Sequence, residues 1–262
     1  MLPPVILAIG GLTALVTTRA GEQAKDARYA EMAKAAAAAA NSFDTSQQRL
    51  LSMSRTLAAA AEGAEGADRA EVIQIVRRVM DTNADIDAAF VGFEANAFDG
   101  RDAEHVGQEG SDEQGRFRPY WNTLSGPLRL DPLTDPESSD FWTAPIQSGK
   151  PNVVEPFEHE GTLKTTFAAP IKRNGRFVGV AGVDVSLASA NQNAEVKLLK
   201  TGYGFLVSRG GTFVTAPSVA GDKKIVGKKT LEQVARERRN AVLAQAAKAA
   251  TQGRTGQVET TD

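Results

Sequence analysis

Cysteine is absent from this 262-residue chain, which excludes disulfides, thiolate metal sites and a catalytic thiol. Histidine occurs twice, at His105 and His159. His159 stands between Glu158 and Glu160, and three successive residues of a strand or turn cannot converge on one ion. No metal is therefore expected, and a solvated turn is. There is no GxSxG, no phosphate-binding glycine loop and no HExxH. Gly202-Tyr203-Gly204 lacks the third glycine and the following acid of a dinucleotide site. The chain is thus expected to be neither an enzyme nor a cofactor carrier. A formal charge of −2 and a pI near 5.9 give no basis for nucleic-acid binding. Aromatics make up only 6%, so each carries weight.

Charge is missing altogether from residues 1–18, and Val5 to Val16 is strongly apolar. That length lies at the short end of a membrane-spanning helix, so a transmembrane signal anchor is expected over 1–18. A cleaved signal peptide and a buried core helix are the competing readings. From Gly21 to about Ala61 there is no proline, and alanine fills positions 35–40, which favours one long helix. Phe43, Leu50 and Leu57 recur every seven residues and mark a stripe for a partner, either a second copy in a homodimer through this helix or the modules that pack against the helix as a spine. Asp68 then caps a second helix carrying Val72, Ile73, Ile75, Val76 and Val79.

The remainder alternates strands and turns. Asp87 to Phe93 and Arg116 to Thr123 read as strands, and in the second Tyr120 and Trp121 point to opposite faces. The acidic loop Asp99-Gly100-Arg101-Asp102 lacks calcium-loop spacing and is expected to be solvated. Ser138 or Ser139 caps a helix beginning near Asp140. Leu163 to Ile171 alternates like a half-buried strand, Asn174-Gly175 supplies a two-residue hairpin turn, and Phe177 to Val185 reads as a central strand. Asp184 inside that strand costs several kcal/mol unless something pairs with it. Thr201 to Val207 and Thr212 to Ala216 form a further hairpin, Thr230 to Ala250 a helix, and Gly256 onward the start of a strand. The pattern is that of an α+β fold of the PAS-like kind.

Asp140 to Leu187 runs through an aromatic pair, a short helix, Gly149-Lys150-Pro151, Glu155-Pro156-Phe157, a polar strand and the hairpin strand ending Val183-Asp184-Val185-Ser186-Leu187. With Gly115 to Asn122 upstream, this order resembles the double Cache family of extracytoplasmic sensor domains of bacterial chemoreceptors, sensor kinases and cyclases. The resemblance implies a long N-terminal helix with two PAS-like antiparallel-sheet modules, the second incomplete. It divides the chain into 1–18 as anchor, 20–82 as stalk helix and second helix, 83–190 as a membrane-distal module and 191–262 as part of a membrane-proximal one. On that reading the chain is a C-terminally shortened piece of a larger receptor in the bacterial cell membrane.

The implied function is extracytoplasmic sensing of a small molecule for chemotaxis signalling. Alternatives are the input domain of a sensor histidine kinase or diguanylate cyclase, and a structural coiled-coil anchor that senses nothing. Expected ligand residues are Trp121, Asp140, Phe141, Trp142, Phe157 and Asp184. In amino-acid-sensing members an arginine precedes the aromatic pair and an acid follows the later aromatic; here Ser139 and His159 occupy those places. Nothing clamps an α-carboxylate, so aromatic walls with acids point to an organic amine.

Overall fold

The computed structural model describes residues 6–10, 19–188, 197–198, 202–208, 210–215 and 225–252. The chain divides into two compact units, one of Gln47–Ser186 and one joining Met1–Ser46 to Leu187–Asp262. Helix α1 spans Arg19–Gly63, its 45 residues amounting to about 68 Å at 1.5 Å per residue. The lower part of the repeating stripe packs within the chain, as the spine reading expects. Leu50 and Leu57 are buried within the chain itself, together with Leu51, Ala58 and Ala61. Ser54 Oγ on this side donates to the carbonyl of Phe167 at 2.7 Å, so the part of α1 from Gln47 onward lies along the sheet of the Gln47–Ser186 unit.

Helix α2, Arg69–Thr82, opens as expected on Asp68, whose side chain accepts from Ala70 N at 3.1 Å. Val72, Ile73, Val76 and Met80 form its buried face. The acidic loop is solvated only at Gly100 and Arg101, whereas Asp99 is half-buried and Asp102 buried. Buried Arg69 forks onto Asp99 at 2.8 and 2.9 Å, reaches Asp102 at 2.9 Å and donates to the Gly115 carbonyl. The hydrogen bonds from Arg69 hold the Asp99 carboxyl down at about 2, from an ordinary 3.8. A lone arginine at the start of an amphipathic helix gave no hint of this long-range pairing.

The unit's sheet has seven strands. β2 (Ala88–Phe93) and β8 (Arg176–Ser186) form its centre. β3 (Pro119–Asn122) and β4 (Arg129–Pro132) extend it one way, β7 (Thr162–Arg173) and β5 (Asn152–Val153) the other. The order is β4-β3-β2-β8-β7-β5, with β6 (Phe157–His159) also pairing with β7. All pairs are antiparallel. The β7–β8 turn places Asn174 at φ 52° and Gly175 at φ 75°, the two positive values that a tight hairpin of this hand requires. Between Ile171 and Lys172 the register shifts, so that Val178 is extra on β8, and beyond this bulge Asp184 faces Thr166. Helix α3, Asp140–Ser148, follows Ser139, whose side chain makes no capping bond; it packs on one face of the sheet through Phe141 and Trp142.

In the other unit β1 (Ile6–Gly10), β9 (Lys197–Leu198), β10 (Gly202–Val207) and β11 (Phe213–Thr215) form a smaller sheet. β1 lies in the expected anchor but is a strand paired with β10. A short apolar run suits strand and helix equally, and pairing decides it. The rest of 1–18 lies outside the described residues, as does the strand expected after Gly256. Among the described residues no helix is long and apolar enough to cross a membrane. The helix expected from Thr230 to Ala250 is two, α4 (Leu231–Glu237) and α5 (Ala241–Thr251). Arg239 turns the chain at φ 51°, and Asn240 caps the second by accepting from Leu243 N at 2.9 Å.

Candidate functional site

The face of the seven-stranded sheet beneath α3 combines an apolar half with a buried polar half. In the apolar half the Phe141 ring meets Phe90 edge-on at 5.4 Å, and Trp142 meets Phe177 at 5.9 Å. Gly182 opposite Phe90 has no room for a side chain. A Cβ there would lie 2.5 Å from the Phe90 ring and 2.7 Å from the Phe167 carbonyl. Phe90 thus folds flat over β8, and α3 closes on top of it.

The polar half is centred on Asp184, 1% exposed. Cross-strand register brings Thr166 opposite it, and Thr166 Oγ1 donates to Asp184 Oδ1 at 2.6 Å. Tyr120 Oη donates to Asp184 Oδ2 at 2.8 Å. Lys164, two residues before Thr166 and so on the same face, donates from Nζ to Asp184 Oδ2 at 2.5 Å and to Tyr120 Oη at 3.0 Å. The carboxylate therefore has a cation and two hydroxyl donors, which is what burial of a charge demands. Burial first, and Asp184 next, push the Tyr120 phenol above its ordinary value, so it stays protonated and donating.

β6 and the neighbouring turns form the rim. The Lys164 ammonium lies 5.1 Å from the Tyr120 ring centre and 5.2 Å from that of Phe157. The His159 ring stands edge-on to Tyr120 at 6.3 Å. Burial, then Lys164, lowers its basicity and favours the neutral imidazole. Arg129 joins Asp131 at 2.6 Å to Glu160 at 2.5 Å, tying the turn before β7 to β4. Asn122 Nδ2 donates to Asp131 at 2.8 Å, whereas its buried Oδ1 has no hydrogen-bond partner among the described residues. A buried acceptor without a donor invites one from a ligand.

Of the six expected ligand residues, the structure groups Phe141, Trp142, Phe157 and Asp184 on this face. The first two are packed into the apolar core, where they shape the wall. Asp140 is exposed at the first turn of α3 and takes no part. Trp121 is on the opposite face, its indole Nε1 donating to the Ile73 carbonyl of α2 at 3.0 Å. The strand's alternation puts Tyr120 in the place expected of Trp121. His159 is half-buried against Tyr120, not in a solvated turn. Sequence reasoning missed Tyr120, Lys164, Thr166 and Asn122. The alternation of Lys164, Thr166 and Ala168 was the available signal, but it did not reveal which face they share.

The Gln47–Ser186 unit is thus a sheet with a helix over one face and a buried polar cluster beneath it. Residues 72–192 match the family described as methyl-accepting chemotaxis protein-like, first PDC sensor domain. The chain is 32% identical over 139 residues to the methyl-accepting chemotaxis protein TlpQ of Pseudomonas aeruginosa, covering 46% of this chain and 20% of that protein. It spans about a fifth of the length of that curated relative. Among solved structures it is similar to the extracellular domain of mmHK1S-Z2, described as a histidine kinase, at 33% identity and TM-score 0.80, covering 90% of this chain and 87% of that one. It is also similar to methyl-accepting chemotaxis protein X, at 26% identity and TM-score 0.70, covering 87% and 85%. The chain belongs to the double Cache (PDC) family of extracytoplasmic sensor domains.

Proposed function

We propose that this chain is the extracytoplasmic sensing region of a bacterial transmembrane chemoreceptor, and that its ligand is a small organic amine. The ligand face is that of Asp184, Tyr120, Asn122, Phe157 and His159, in the membrane-distal module. The observation that carries the amine reading is that this face already cages an alkylammonium group. That of Lys164 sits on Asp184 between the Tyr120 and Phe157 rings. Asp131, Glu160 and the unpartnered Asn122 Oδ1 add further acceptors along the rim.

Sensing requires that two states of the unit differ in ligand affinity. Strand β7 is suited to link them. Lys164 and Thr166 point into the ligand face, while the carbonyl of Phe167 between Thr166 and Ala168 receives Ser54 of α1. Lys172 N bonds Glu62 at 2.8 Å, and Arg173 donates to the Ala61 carbonyl. A ligand that draws β7 toward it moves its three fastenings to α1. Pairing of two copies along α1 would carry that displacement to the membrane.

A second reading has its own support. The 33% identical mmHK1S-Z2 domain is from a protein described as a histidine kinase, and the same input unit would there control a kinase. Both readings are tested by a thermal-shift screen of the full chain against amines, organic acids and purines. A rise in Tm confined to amines is expected. Shifts with organic acids or purines alone would remove the amine assignment. Which output it controls is decided by assaying ligand-dependent chemotaxis against ligand-dependent autophosphorylation in cells that carry the gene.

A further inference from the structure

Lys164 satisfies Asp184 from within the chain, and the manner in which it does so is specific. Its ammonium donates to the carboxylate and to Tyr120 Oη, with two aromatic rings at 5.1 and 5.2 Å. Carboxylate, hydroxyl and aromatic faces around one nitrogen make up a receptor for R–NH3+. We propose that Lys164 is a tethered competitor occupying an alkylammonium subsite, and that an amine ligand binds by displacing it from Asp184. The proposal rests on the reading of this face as the ligand site.

Three features support displacement over permanent structural pairing. Asp184 has donors besides the lysine, Tyr120 at 2.8 Å and Thr166 at 2.6 Å, so the carboxylate stays oriented when the ammonium leaves. An incoming ammonium restores the charge balance that departure of Lys164 would upset. Finally, Phe157, which covers the lysine, lies on the three-residue strand β6, held by pairing with β7 at Phe157, Glu158 and His159. Short edge strands open at low cost, and the lysine stem leaves by that edge. The tether sets the threshold of the sensor. An intramolecular amine is present at high effective concentration, so only a ligand making further contacts, for example to Asn122 Oδ1, competes with it.

The test uses n-butylammonium, which copies the lysine side chain beyond Cα, on the full chain. Lys164→Met leaves Asp184 uncompensated, and its Tm is expected to fall by several degrees. n-Butylammonium is then expected to raise that Tm at concentrations at least ~10-fold lower than the wild type needs. Lys164→Met/Asp184→Asn, which lacks both charges, is expected to show no such shift. If Lys164→Met does not melt cooperatively, Lys164→Gln, which keeps a donor for Asp184 without the charge, takes its place in the same comparison. An equal response of variant and wild type, or an equal response of the double variant, would overturn the proposal. The two readings separate cleanly. Rescue of the variant by n-butylammonium when the wild type answers to no amine would uphold the subsite and sink the amine-sensor function. Amine binding by the wild type with no gain in the variant would do the reverse.

Discussion

The two faces of the seven-stranded sheet are built from the same strands and do different work. Toward α2, Trp121 packs with its indole N–H on the Ile73 carbonyl, and α1 adds Leu50, Leu51 and Leu57 as buried apolar mass. Toward α3 and β6 the same strands bury Asp184, Lys164, Tyr120, Thr166 and Asn122. The first arrangement is a core, stable without specificity. The second holds charges that cost free energy to bury, which is tolerable where recognition needs them. Adjacent residues show the division most plainly, since Tyr120 belongs to one face and Trp121 to the other.

Breaking the ion pair should do the greatest damage. Asp184→Ala leaves the Lys164 ammonium buried and unpaired and should cost about 3–5 kcal/mol in denaturant unfolding. It should also abolish amine binding. On the other side Leu51→Ala, at a fully buried position of α1, should cost about 3 kcal/mol through the cavity it leaves, yet the remaining folded protein should bind ligand normally. A loss of affinity there would blur the division between the faces. Ser54→Ala removes one buried hydrogen bond to the Phe167 carbonyl and should cost about 1 kcal/mol. Unlike Leu51→Ala, it should weaken the ligand-induced change in α1, readable as reduced ligand-dependent hydrogen-exchange protection of residues 47–61.

The smallest effect concerns pH. Burial keeps the folded-state basicity of His159 below its ordinary value of 6.5. The unfolded chain therefore binds more protons as pH falls through and below that value, so this contribution to stability is intact above it and lost beneath it. Tm should fall between pH 7.5 and 5.5, and His159→Gln should reduce that slope. An unchanged slope would place His159 in solvent.

Much of the frame was legible because local signals agreed. Asp68 as a cap, Asn174-Gly175 as a hairpin turn and the alternation through Leu163 to Ile171 each specify their element without help from distant residues. The site was harder, because face assignment depends on parity. Counting back from the Asn174-Gly175 turn sets Asp184 opposite Thr165. The bulge at Val178 changes the count by one and brings Thr166 and Lys164 to the aspartate instead. Gly179 beside it is the one local hint, and a glycine in a strand marks a close backbone approach as readily as a bulge. The same ambiguity exchanged Trp121 for Tyr120. The Arg69 cluster joins positions 30 and 33 residues apart, beyond the reach of any local pattern. Asp184 nevertheless stands out in the sequence as a carboxylate that must have a partner, because burial in an apolar strand is costly without one.

That neighbouring pair also supplies the decisive experiment. The amine giving the largest shift in the thermal screen is titrated calorimetrically into wild type, Tyr120→Phe and Trp121→Phe, all as the full chain. Tyr120→Phe, which removes the hydroxyl bridging Lys164 and Asp184, is expected to change affinity by about tenfold or more, roughly one hydrogen bond to a charged group. Trp121→Phe should lower Tm and leave Kd within about twofold. A Kd that follows Trp121 and ignores Tyr120 would contradict the assignment of the sensing site to the α3 face.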